Sequence, residues 1–96
     1  MKKHITKGSV LDDLGLEPGE AENLKMRAAL MRAIESEMKK QKLTQVAAAK
    51  LLSISQPRVS DLVRGKIHLF TIDCLITILL RLGKPVHLVI DDRLAA

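Results

Sequence analysis

Between Ser53 and Lys66 the chain reads SISQPRVSDLVRGK. Gln56, Arg58, Ser60, Asp61 and Arg64 crowd this stretch with an amide, two guanidinium groups, a hydroxyl and a carboxylate. Such a set offers hydrogen-bond donors and acceptors but no nucleophile paired with a base, so its chemistry is recognition of a polar surface. The rest of the chain adds no catalytic constellation. His4, His68 and His87 lack metal-ligand spacing. Asp12–Asp13 and Asp91–Asp92 are adjacent pairs, whose side chains point apart on a helix or strand and read as solvated acids. Glycines stand scattered at 8, 15, 19, 65 and 83, with no phosphate-cradling loop. Cys74 is the single cysteine, which excludes an intrachain disulfide and suits a small buried hydrophobe. Met26, Met31 and Met38 read as core filler. The expectation is a protein that is not an enzyme and carries neither cofactor nor metal.

The elements that present the polar stretch follow from local signals. Ser55 is an N-cap, Pro57 falls in the first helical turn where its missing N–H costs nothing, and Gly65 ends the helix begun at Gln56. Before it, Thr44 caps a short alanine-rich helix from Gln45 to Leu52, and Ser53 and Ile54 make the turn. A longer helix from about Glu20 to Gln41 is predicted by Leu24, Met31, Ile34 and Met38, with Ala28 and Leu30 beside them. Thr71 caps a further helix whose stripe is Ile72, Leu75, Ile76, Leu79 and Leu80, stopped by Gly83 and Pro85. SVLDDLGL, residues 9–16, suits one helical turn with Ser9 as its cap. Val86, Leu88 and Ile90 alternate with His87 and Val89 over 85–91, the period of a strand. A lone strand leaves its backbone groups unpaired, so the simplest partner is the same strand of a second copy, giving a two-fold homodimer through Val86, Leu88 and Ile90.

Bulk properties fit this scheme. Ninety-six residues make one domain, and 47% hydrophobic content supports a packed core. Phe70 is the only aromatic, which argues against readers of single strands or RNA, since those need stacking platforms. The net charge is +5, but its distribution says more. Residues 9–22 hold five acids and no Lys or Arg, whereas residues 23–66 hold ten Lys or Arg against three acids. The excess of positive charge therefore accompanies the polar stretch and suits an anionic partner. The N-terminus MKKHITKGS has no apolar run of a signal peptide. The apolar region from Ile67 to Leu82 is too short for a membrane span and carries Asp73 and Arg81. A cytoplasmic location away from membranes is expected.

Two short helices joined by a tight turn, the second lined with polar and basic residues, form the helix-turn-helix pattern. Counting from Gln45, the fifth residue is Ala49, small enough for a close helix crossing. The fifteenth is Val59, a β-branched plug between the helices. Ala48, Leu52, Ile54 and Leu62 supply the other apolar contacts. LTQVAAAKLLSISQPRVSDLVRGKIHLFTIDCLITILLRLGKPVHLVI resembles the xenobiotic-response-element (XRE) family of Cro/repressor-type proteins. The leading SVLDDLGL and the trailing GKPVHLVI resemble the HigA-type antitoxins within it. One departure is Ser53, the ninth residue, where the family usually has glycine in a left-handed conformation.

The resemblance implies an all-α, lambda-repressor-like bundle with the C-terminal β-strand pairing across the homodimer. Its parts are an arm over residues 1–19, the helix-turn-helix domain over 20–83, and a dimerisation strand and tail over 84–96. It implies double-stranded DNA as partner, with a palindromic operator. Gln56, Pro57, Arg58 and Asp61 take the places where base edges are read. Gln can pair bidentately with adenine, Arg with guanine, Asp can accept from cytosine, and Pro57 offers apolar contact. Gln45 and Ser55 take phosphate-contacting places at helix N-termini, while Ser60, Arg64, Lys66 and His68 lie where they can reach the backbone. Asp61 has a rival reading as an ion-pair partner of Arg58 or Arg64. Lys39, Lys40 and Lys42 read as a solvated helix end. The acidic segment 9–22 is either a turn packed on the first helix or an arm docking a basic partner. The resemblance favours the arm, and with it a cognate toxin and repression of the protein's own operon. The rivals are a stand-alone XRE-type regulator and a protein-interaction module with weak DNA binding.

Overall fold

A computed structural model describes residues 18–91. The predicted turn over 9–16 and the tail after 91 lie outside them. The described chain folds as α1 (Pro18–Lys40), α2 (Gln45–Leu52), α3 (Gln56–Val63), a 3-10 turn (Ile67–Leu69) and α4 (Ile72–Arg81). Side-chain caps set three of these boundaries. Thr44 Oγ1 accepts from the Ala47 N–H at 3.1 Å, Ser55 Oγ from Arg58 at 3.2 Å, and Thr71 Oγ1 from Cys74 at 3.2 Å. Each satisfies a donor that a helix start leaves orphaned. The 3-10 turn has no signature in the sequence pattern; it packs on α1.

α1 lies chiefly against α4, and α2 crosses α3. Met31, Ile34 and Met38 of α1 meet Leu75, Ile78, Leu79 and Leu82 in one core, together with Ala48, Leu52, Val59, Leu62 and Phe70. The buried stripe of α4 differs from the predicted one. Ile78 is buried, while Leu80 is 55% exposed and Ile72 and Ile76 are half-buried. Residues 75, 78, 79 and 82 share one face at helical spacing, and Leu80 is turned away from it.

Hydrogen bonds from long side chains tie the layers at their ends. Gln41 Nε2 donates to the Leu82 carbonyl at 2.7 Å, joining α1 to the end of α4. Arg81 Nη1 donates to the Leu52 carbonyl, joining α4 to the end of α2. Arg27 Nη1 donates to the carbonyls of Ile67 at 3.0 Å and Phe70 at 3.4 Å, holding the 3-10 turn on α1.

The turn between α2 and α3 is left-handed at Ser53, with φ 56° and ψ 42°. Its backbone N–H reaches the carbonyls of Ala49 and Lys50. This is the left-handed conformation that glycine adopts most readily, and serine holds it under strain. Ser53→Gly is expected to raise stability by about 1 kcal/mol. An unchanged urea midpoint would show that the turn relaxes around serine at no cost.

The alternation over 85–91 predicts a strand, but no strand occurs among the described residues. Val86 packs on the core, while Leu88, Val89 and Ile90 are 84%, 84% and 74% exposed. The two faces of the segment are thus equally open. The physical reason is supply: α4 ends at Gly83 with φ 87°, and no described segment of this chain offers a strand edge beside it.

Candidate nucleic-acid interface

α2, the Ser53 turn and α3 build the unit that carries the polar stretch. Ala48 and Val59 are each fully buried where the helices cross, and Ala49 is half-buried against the core. Leu52 and Leu62 are buried and Ile54 packs beside them. Val59 is thus buried as expected, while the fully buried alanine is Ala48 and the expected Ala49 is only half-buried.

At 3.6 residues per turn each residue of α3 is rotated about 100° from the last. Taking Gln56 as reference, Ser60 stands at about 40°, Arg64 at about 80° and Pro57 at about 100°, all on one side. Gln56, Pro57 and Arg64 are exposed and Ser60 is half-buried, so this is the outward face. Asp61 at about 140° stands beside Pro57 and is half-buried, whereas Arg58 at about 200° belongs to the flank that turns toward the 3-10 turn and α4.

Arg58 does not point outward. Its Nη1 donates to the Leu69 carbonyl at 2.9 Å, its Nη2 lies 3.9 Å from Cys74 Sγ, and its guanidinium carbon sits 4.1 Å from the centre of the Phe70 ring. Asp61 has neither expected partner. Its Oδ1 is 3.9 Å from Lys66 Nζ, which lies beyond the helix end, where the chain turns back at Gly65. A pair this long and this exposed contributes little to stability but neutralises both charges locally.

Of the expected phosphate-contacting residues, Gln45 and Ser55 stand exposed at the first turn of α2 and the cap of α3. The Ser55 oxygen is occupied by the Arg58 N–H, which leaves its own O–H free to donate. Arg64 is exposed, Lys66 half-buried, and His68 is exposed on the 3-10 turn. His68 lines an open recess with Gly19, Glu20, Asn23, Leu24 and Arg27. The structure thus brings Gln56, Pro57, Ser60 and Arg64 to one surface and separates Arg58 from them. The sequence pattern misses Leu69 and Phe70 as the partners of Arg58; the lone aromatic near a helix boundary was the available signal.

Among the described residues no group of three or more His, Cys, Asp or Glu is placed to hold a metal ion. No helix among them is long and apolar enough to cross a membrane.

A family model described as a helix-turn-helix domain matches residues 10–91, most of the chain. The chain belongs to the helix-turn-helix domain family. A solved structure named "Putative XRE Family Transcriptional Regulator" is 35% identical, with a TM-score of 0.72 over 75% of this chain and 81% of that one. At three quarters of this chain, that match is longer than the two crossing helices alone. No curated protein matches the chain.

Proposed function

We propose that the protein is a sequence-specific DNA-binding transcriptional repressor. The observation that carries the reading is the outward face of α3, where Gln56, Pro57, Ser60 and Arg64 stand on a helix locked by the buried Ala48 and Val59. Membership of the helix-turn-helix family and likeness to a named XRE-type regulator support it. Gln56, Pro57 and Asp61 are the proposed base contacts, with Gln56 the bidentate one, worth roughly 1–3 kcal/mol of discrimination. Gln45, Ser55, Ser60, Arg64, Lys66 and His68 are the proposed backbone contacts, fixing register without reading sequence. A cytoplasmic location belongs to this reading.

Titrating the protein with its own upstream DNA and with a scrambled fragment, at physiological salt, tests it. Specific binding exceeds non-specific by about 10³ or more. A gap of that size is expected; equal affinities would favour a protein-interaction module instead.

Within this reading the protein acts as a homodimer on a palindromic operator, with half-sites about one helical turn apart. The exposed Leu88, Val89 and Ile90 support pairing of residues 85–91 between two copies, because a second strand would engage backbone groups at the edge and set apolar side chains beside them on each face. Deleting residues 85–96 is expected to convert the dimer to a monomer in sedimentation; a deleted protein that stays dimeric overturns the strand pairing. The HigA-like flanks support a narrower role as the antitoxin of a type II toxin–antitoxin operon, repressing that operon and neutralising a cognate toxin. A stand-alone regulator is the competing version, and co-purification with the product of the neighbouring gene separates the two.

A further inference from the structure

We infer that Arg58 is a positioning residue of the DNA-reading helix and not itself a reader of bases. Its guanidinium braces α3 against the 67–70 turn and α4, and so sets the angle at which Gln56, Pro57 and Ser60 are presented. The inference deepens the DNA-binding reading and rests on it.

Three attachments hold the side chain at once. One N–H donates to the Leu69 carbonyl at 2.9 Å, a second approaches Cys74 Sγ at 3.9 Å, and the flat face lies 4.1 Å from the Phe70 ring centre. A planar, forked cation can make an in-plane hydrogen bond and a contact with a ring face together, which the point charge of a lysine cannot. The rotation about α3 agrees, since Arg58 stands about 200° round from Gln56, on the opposite side from the outward face. The turn it grips is held from the other side by Arg27, whose Nη1 takes the Ile67 and Phe70 carbonyls. Three of the four carbonyls from 67 to 70 thus accept from a guanidinium, one arginine coming from α1 and the other from α3. The turn is a keystone between the scaffold helix and the helix that would meet DNA. To reach a base edge Arg58 would have to abandon the carbonyl and the ring together.

Phe70 makes the inference testable, because at 2% exposure it cannot touch DNA itself. The probes are the protein's own upstream fragment and the set of its single-base-pair variants. Arg58→Ala is expected to lower affinity by about tenfold, alike for every variant fragment, as loss of one hydrogen bond and one cation–π contact would. Arg58→Lys keeps the charge but not the fork or the plane, and is expected to behave as Arg58→Ala. Phe70→Leu is expected to give the same uniform loss. The double variant should lose no more than the worse single, where independent sites would multiply. Melting temperatures of the same proteins should be non-additive in the same way. Gln56→Ala, by contrast, should flatten the preference at one base pair.

Arg58→Ala flattening one base position while Phe70→Leu leaves every affinity unchanged overturns the inference, as does full affinity in Arg58→Lys. A wild-type protein with no preference for any fragment overturns the DNA-binding reading instead. In that event additive melting shifts for Arg58→Ala and Phe70→Leu overturn the brace, and non-additive shifts support it.

Discussion

Replacing Phe70 with alanine is expected to destabilise the domain by about 3–5 kcal/mol, read from urea unfolding followed by circular dichroism. Phe70 is the only aromatic in the chain and is 2% exposed. It sits where the 3-10 turn, α1 and α4 meet, with its carbonyl held by Arg27 and its ring beneath Arg58. The remaining core side chains are aliphatic or methionine, so removing the ring leaves a cavity that they would have to repack to fill. A domain of this length has a total stability of roughly 5–15 kcal/mol, so the variant would stand near its unfolding threshold. A loss below about 1 kcal/mol would mean that the site collapses freely, and that the turn is not the keystone its hydrogen bonds describe.

Binding to the upstream fragment is expected to weaken by about a hundredfold between 50 and 200 mM salt. Arg64 and Lys66 are the fixed cations among the proposed backbone contacts, which makes about four in a dimer. Each phosphate neutralised contributes about 0.9 to the logarithmic slope, so a slope near −3.6 follows, and a fourfold rise in salt then costs about two decades. The ion pair between Lys66 and Asp61, 3.9 Å long, has to open for Lys66 to count; were it to stay closed, two cations per dimer and a slope of about −1.8 would remain. Titrations at five salt concentrations give the slope directly. A flat response would remove phosphate contact from the reading and leave protein partners as the object of the surface. A slope beyond about −6 would bring in cations outside the proposed set, with Lys39, Lys40 and Lys42 at the end of α1 the first to replace.

The helix-turn-helix unit was legible because its demands are local. A cap, a proline in the first turn, a left-handed residue and two small or β-branched residues at fixed spacing are written within about twenty positions. Thr44, Ser55, Pro57, Ser53 and Val59 take those places in the structure, whereas the fully buried alanine is Ala48 and the expected Ala49 is only half-buried. Gln56 is exposed although periodicity puts it only about 60° from Val59, because it stands in the first turn of α3, where the helix emerges from the Ser53 turn. The strand over 85–91 shows the limit of the same reasoning. Alternation says that a segment suits a sheet, but pairing needs a second edge, and this chain supplies none among its described residues.

The sequence by itself therefore determined the four helices, three of their caps, the burial of Val59 and the helix-turn-helix family. Each of these depends on neighbours within a turn or two of helix. Only the tertiary structure decided which polar side chains remain available on α3. Arg58 and Gln56 are two positions apart, and both are polar, yet one is half-buried and bonded back to Leu69 and the other faces out. The difference is made by Leu69, Phe70 and Cys74, eleven to sixteen residues further on, which the path of the 3-10 turn returns to the flank of α3. That return is set by the packing of Phe70 and by the grip of Arg27 on the turn, and no short-range pattern encodes it.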